Sequence, residues 1–188
     1  MTRTNWLNIR HSGGFWFFAY GSLMWDPPFT PDHTQPARLY GYHRSFCVNS
    51  ETYRGTPRNP GLSLGLDRGG SCTGVALYID EASRDSAICE IEAREMDNDP
   101  IYICRPIRLT LPTETVLGYS LVVNREDRLF AGHLGFEETA RRIARCVGKH
   151  GPNIDYLAKT VARLDAMKIP KGHLHHLLRR AKEIRCKS

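Results

Sequence analysis

Two stretches of this 188-residue chain place chemically useful residue types at useful spacings. The first is Phe18-Ala19-Tyr20-Gly21-Ser22-Leu23-Met24-Trp25, where an apolar run over residues 15–20 leads straight into Gly21-Ser22. Glycine lacks Cβ, so a ligand can approach the main chain closely there. If a short helical turn opens at Ser22 or Leu23, successive N–H groups point outward without partners. Such a concavity suits a carboxylate or a polarised carbonyl oxygen. An ordinary strand-to-turn junction is the plainer alternative. Ser22 is a minor candidate nucleophile, because Leu23-Met24 follow it where the G-x-S-x-G elbow of hydrolases has x-Gly.

The second stretch holds three carboxylates, Glu90, Glu92 and Glu95, on a helix predicted over residues 83–96. At about 100° per residue, Ile88 and Ile91 share one side, and Glu95 returns to within roughly 20° of Ile88. Glu95 is therefore expected on the apolar face, with Glu90 pointing away and Glu92 on the flank. Loss of hydration and the negative end of the helix dipole would both raise its pKa. A carboxyl group tuned upward can take and return a proton near neutral pH. The competing reading is a structural ion pair with an arginine such as Arg54 or Arg105.

Other candidates are weaker. Arg54, in the loop-like Tyr53-Arg54-Gly55-Thr56-Pro57, could clamp a carboxylate bidentately or stay solvated. His43, His133, His173, His175 and His176 have no Cys or carboxylate at ligand spacing, so no metal site is expected. Gly61-Leu62-Ser63-Leu64-Gly65 lacks the strand–glycine–helix order of a dinucleotide fingerprint. The six cysteines are far apart and form no C-x-x-C, so they read as reduced fillers rather than a disulfide or zinc framework.

The elements that must position these residues follow from patterning. Strands are predicted over 15–20, 37–42, 45–49, 62–66, 73–79, 102–109 and 115–123, separated by Gly, Pro and Asn/Asp clusters at 54–61 and 67–70. The helix over 83–96 has Ser83 as its N-cap and Ala82, Ala87, Ile88 and Ile91 on its inner face. Three further helices are predicted over 137–147, 153–167 and 172–184; Gly148 and Gly151 end the first, and Pro170 separates the other two. Strands first and helices after indicate an α+β domain with a closed or nearly closed sheet. No repeat or low-complexity linker divides it, so residues 1–188 read as one domain, with 1–14 a loose arm.

Composition narrows the class. Apolar residues make up 41% and charged residues 24%, ordinary for a globular protein. No apolar run approaches the roughly 20 residues that span a membrane, and no export signal is apparent, so a cytoplasmic location is expected. The net charge of +6 is uneven: residues 137–188 carry 13 Lys plus Arg against 5 acids. That basic third holds a single aromatic residue, Tyr156, so stacking on nucleic-acid bases is not expected; solvated faces of amphipathic helices account for it.

Several motifs together resemble the ChaC-type, glutathione-specific γ-glutamylcyclotransferases. They are Tyr20-Gly21-Ser22-Leu23-Met24-Trp25, Gly41-Tyr42-His43-Arg44-Ser45-Phe46-Cys47, Tyr53-Arg54-Gly55-Thr56-Pro57, the glycine-rich residues 61–70 and Asn153-Ile154-Asp155-Tyr156-Leu157. Their order and spread, over about residues 15–178, are more specific than any one alone. The resemblance implies a small mixed β-barrel with packed helices and a helical C-terminal third. It implies cleavage of glutathione to 5-oxoproline and cysteinylglycine, without cofactor or metal. It also implies a catalytic glutamate in an Arg-Glu pair late in a helix, which maps onto Arg94-Glu95. The family's substrate loop maps onto Phe18, Ala19, Tyr20, Gly21, Ser22 and Leu23, with Tyr102 as a further hydrogen-bond donor to substrate. Two departures stand out: Ala19 where ChaC-type members usually carry glycine, and the acidic, proline-containing segment 97–101 before Tyr102. Action on other γ-glutamyl amines or peptides, and a non-catalytic regulatory protein on the same scaffold, are the alternatives.

Overall fold

The computed structural model describes residues 13–95 and 101–187. The expected loose arm falls almost wholly outside them, as do Met96 at the end of the predicted helix and the acidic residues 97–100. Two compact units divide the chain, Met1–Ser45 with Gly65–Asp127, and Phe46–Leu64 with Arg128–Ser188.

Five strands close into a mixed barrel in the order β1-β3-β2-β4-β5. They are β1 (Phe15–Ala19), β2 (His33–Ser50), β3 (Gly61–Ile79), β4 (Tyr102–Thr110) and β5 (Thr115–Val123). Between β3 and β4 lies α1 (Arg84–Glu95). The closed sheet expected from the sequence is present.

The first unit is organised around β1. Its residues Phe15, Phe17, Phe18 and Ala19 are all buried, as a strand flanked on both sides requires. It runs antiparallel to β3, with Phe15 opposite Ile79 and Ala19 opposite Val75. On its other side it runs parallel to β5, with Trp16 opposite Gly118 and Phe17 opposite Tyr119. Strands β4 and β5 form an unbroken antiparallel ladder from Tyr102–Val123 to Thr110–Thr115. Backbone capping of α1 agrees with expectation: the Ala87 N–H donates to the Ser83 carbonyl, the first i to i−4 bond. Ala87, Ile88 and Ile91 are its buried residues.

The strands differ from expectation in continuity. The predicted pairs 37–42 with 45–49, and 62–66 with 73–79, are each one long strand. The cluster at 67–70 is no break: Gly69 and Gly70 adopt φ of 96° and 69° inside β3, and Gly41 adopts 85° inside β2. Glycine tolerates these angles, so the strands bend without ending. His43 Nδ1 lies 3.1 Å from the Gly69 carbonyl oxygen, at that bend.

The second unit contains α2 (Phe136–Arg145), a short hairpin of β6 (Val147–Gly148) and β7 (Gly151–Pro152), α3 (Asn153–Ala166) and α4 (His173–Cys186). Val147, expected in the helix, pairs instead with Pro152, because the helix is capped at Cys146 and the chain folds back on itself. Asn153 is wholly buried, and its amide side chain takes both main-chain groups of Leu62, Oδ1 accepting from N–H at 2.6 Å and Nδ2 donating to the carbonyl at 2.8 Å. Arg142 donates to Asn49 Oδ1 and to the Pro60 and Gly61 carbonyls. Exposed pairs such as Arg180–Glu137 and Arg141–Glu138 partly neutralise the basic third; such pairs add little stability. Among the described residues no helix is long and apolar enough to cross a membrane.

One close approach holds the end of β1 in place. A Cβ on Gly74 would lie 2.3 Å from the Ala19 carbonyl oxygen and 2.8 Å from the Phe18 ring. Gly74→Ala should therefore destabilise the protein by about 1–3 kcal/mol, the usual range for overpacking. Urea unfolding measures this, and an unchanged midpoint would contradict the packing described.

Candidate active site

The Gly21 turn forms because β1 runs out. Its last residue, Ala19, is paired with Val75, and the chain then enters a single 3-10 turn over Ser22–Met24 with Gly21 as N-cap. Leu23 and Met24 are buried and anchor it, while Ser22 is half-exposed.

Hydrogen bonding around the turn is one-sided. The Tyr20 carbonyl accepts from Arg44 Nε at 2.5 Å. The Gly21 carbonyl accepts from the Met24 N–H at 3.0 Å, and the Ser22 carbonyl accepts from both Trp25 and Asp26 N–H at 3.0 Å. In a trans peptide the N–H points opposite to the C=O. The N–H groups of Gly21, Ser22 and Leu23 are therefore aimed away from these bonds, and among the described residues none has an intramolecular acceptor. The expected row of outward-facing donors is present. Two residues before Tyr20, the buried Ser120 hydroxyl donates to the Phe18 carbonyl at 2.9 Å, continuing the support beyond the last β1–β5 register pair.

Glu95 is the last residue of α1. Its side chain is 18% exposed, so it is neither sealed in the core nor in bulk water. Arg94 Nε lies 3.4 Å from its Oε1. The same guanidinium reaches the turn: Nη1 donates to the Asp26 carbonyl, and Nη2 lies 3.2 Å from Asp26 Oδ2. Asp26 in turn donates its N–H to Ser22. One arginine thus ties the Glu95 carboxylate to the residue that closes the Gly21 turn.

Arg94 is the neighbour in sequence, whereas Arg54 and Arg105 were the partners expected for a structural pair. Arg105 is exposed on β4. Arg54 belongs to the second unit, where Nη1 donates to the His150 carbonyl at 3.3 Å and the guanidinium lies 4.5 Å from the centre of the Tyr156 ring.

The three carboxylates of α1 are separated, as the helical spacing predicted. Glu90 accepts from the Ser86 hydroxyl. Glu92 carries its charge toward Cys104 on β4: burial, aided by that charge, pushes the Cys104 thiol up to about 12. Glu95 goes to Arg94. Tyr102 opens β4 opposite Val123, half-buried, on the far side of residues 96–100.

The structure thus brings Phe18–Leu23 and Glu95 into one connected arrangement through Asp26 and Arg94, while Tyr102 stands at the start of β4, which pairs with β2 and β5 and not with β1. Sequence reasoning missed Arg44, Asp26 and Ser120 as supports. Arg44 lies inside Gly41-Tyr42-His43-Arg44-Ser45-Phe46-Cys47, and its signal was a guanidinium among the small and ring-bearing side chains of that segment. Asp26 and Ser120 carried no signal: Asp26 meets an arginine 68 positions away, and Ser120 binds a main-chain carbonyl 102 positions away. His175, one of the clustered histidines, accepts from the Gly172 N–H at 3.0 Å and caps α4. Among the described residues no group of three or more His, Cys, Asp or Glu side chains is placed to hold a metal ion.

A five-stranded mixed barrel bearing this turn and a helix-terminal Arg-Glu pair defines the class. Residues 15–184 match the model of the ChaC-like protein family, and the chain belongs to that family. It is 30% identical over 173 residues to the glutathione-specific gamma-glutamylcyclotransferase of Escherichia coli (strain K12), covering 92% of this chain and 74% of that protein. It is also 30% identical over 178 residues to gamma-glutamylcyclotransferase 2-3 of Arabidopsis thaliana, covering 90% and 89%. A crystal structure of a yeast gamma-glutamyl cyclotransferase specific to glutathione superposes with a TM-score of 0.86 over 94% of this chain and 99% of that one. Its sequence identity is 24%, so that likeness is one of fold.

The thiols make a test of this packing. Burial raises the Cys72 thiol above its ordinary value, although Arg44 nearby opposes it, and burial also raises the Cys104 thiol, to about 12. Thiolate is the reactive form. Iodoacetamide at pH 8 should alkylate the exposed Cys89 and Cys186, leaving Cys47, Cys72 and Cys104 unmodified until denaturant is added. Mass spectrometry of tryptic peptides reads the order, and early labelling of Cys104 would contradict it.

Proposed function

We propose that this protein is a γ-glutamylcyclotransferase that converts glutathione to 5-oxoproline and cysteinylglycine in the cytoplasm, using no cofactor. Family membership supports the reaction class, and the glutathione specificity of the Escherichia coli relative supports the substrate. The observation that carries the mechanism is the shielded Glu95 carboxylate, tethered through Arg94 and Asp26 to the Gly21 turn.

In this reading the substrate's own α-amino nitrogen attacks its γ-carbonyl carbon. The new C–N bond closes a five-membered lactam, and the C–N bond to the cysteinyl nitrogen breaks. Glu95 takes a proton from the attacking amine and delivers it to the departing nitrogen, so the carboxylate is regenerated. Such proton transfer typically contributes about 10²–10⁴-fold. The N–H groups of Gly21, Ser22 and Leu23 hold the γ-glutamyl end and receive the negative charge growing on the γ-carbonyl oxygen. Holding a flexible chain in a curled pose supplies much of the remainder, since intramolecular attack depends on orientation. Tyr102 donates a hydrogen bond to substrate from the start of β4.

Purified protein incubated with glutathione should release 5-oxoproline, and γ-glutamyl-alanine should be a poor substrate. Glu95→Gln should fold normally and lose about 10²-fold or more in kcat. Full activity in that variant would remove the proton shuttle, and absence of 5-oxoproline from any γ-glutamyl substrate would favour a non-catalytic role.

A further inference from the structure

Three consecutive peptide planes present their N–H groups at the turn, and each is oriented by what binds its carbonyl. For the planes beginning at Gly21 and Ser22, the acceptor is satisfied by main-chain N–H groups of the turn itself, from Met24, Trp25 and Asp26. The plane joining Tyr20 to Gly21 is different. Its carbonyl is taken by a side chain 24 positions away, Arg44, through Nε. Arg44 Nη2 also donates to the Thr73 carbonyl at 2.9 Å and lies 3.6 Å from Met24 Sδ. The guanidinium is rigid and planar, so it sets the Tyr20 carbonyl relative to β3 and to the buried end of the turn together.

We propose that Arg44 is a positioning residue for the reaction: it orients and polarises the Gly21 N–H by holding the carbonyl on the opposite side of the same peptide. This rests on the functional reading above, in which that N–H meets the γ-glutamyl group. Two physical effects act together. Orientation follows from the trans peptide, because fixing the C=O direction fixes the N–H direction. Polarisation follows from charge: a cationic donor on the oxygen draws electron density through the amide and strengthens its N–H as a donor. Gly21 has no side chain to limit approach, and its φ of −121° and ψ of −133° lie outside the helical basin that the next residues adopt. The turn alone therefore does not determine this plane, whereas it does determine the next two. Lysine at position 44 would keep the charge but supply no fork.

The test uses full-length protein carrying Arg44→Met and Arg44→Lys, with Glu95→Gln as control. Arg44→Met should lower kcat/KM by about 10²-fold, the scale for loss of one oriented donor, and Arg44→Lys should recover part of that loss. The second readout does not use turnover. In 1H–15N spectra of the unliganded protein, the Gly21 amide should shift upfield in Arg44→Met and return partway in Arg44→Lys, while the Ser22 and Leu23 amides move less. A Gly21 amide unmoved in both variants, or an Arg44→Lys enzyme no better than a folded Arg44→Met enzyme, would overturn the proposal. Should Arg44→Met fail to fold, the lysine variant decides by the same spectrum. An active Glu95→Gln protein would remove the reaction mechanism while leaving the Gly21 spectrum to settle Arg44 by itself.

Discussion

The constraint on which the candidate site depends is the destination of four main-chain carbonyls where the chain leaves β1, those of Phe18, Tyr20, Gly21 and Ser22. Buried peptide groups must find partners. Here each carbonyl finds one on the inner side, from Ser120, Arg44, Met24, or Trp25 and Asp26. The donors on the other side of the last three peptides are left over as a consequence. A binding surface of N–H groups thus arises from satisfying acceptors, with no side chain devoted to it. The barrel makes this possible: β1 is held between β3 and β5, and Gly74 lets β3 approach the Ala19 carbonyl closely.

The acid–base group comes from a different source, helix geometry. Ser83 and the buried Ala87, Ile88 and Ile91 fix the rotation of α1, and that rotation sends its carboxylates to separate surroundings. Three acidic residues within six positions would otherwise repel and share protons. Separation sets Glu95 against Arg94, and that cation's remaining donors reach Asp26. Turn and helix are then held by one side chain, so a shift in either is felt by the other.

In the second unit the same device recurs for structure alone. Asn153 satisfies both main-chain groups of Leu62, and Arg142 takes the carbonyls of Pro60 and Gly61. Polar side chains there substitute for sheet pairing where the chain leaves its strands. Both residues are supports for main chain rather than candidates for chemistry, although a basic, His-rich segment suggests function at first sight.

The features legible from residue order alone are local ones. Periodicity placed every helix to within about two residues, placed Glu95 apart from Glu90 and Glu92, and marked Gly21 as the point where a strand gives way to a turn. These follow from short-range sterics and from burial of one face, which a few neighbouring residues express. Tertiary structure decided the rest. Whether the glycines at 41, 69 and 70 end a strand or merely bend it depends on whether a partner strand continues alongside. Which carbonyl Arg44 takes, and that Arg94 reaches Asp26 as well as its neighbour Glu95, depend on how distant segments are brought together. Those contacts join residues 24 and 68 positions apart through main-chain carbonyls, and main-chain atoms are the same at every position, so no residue type records them.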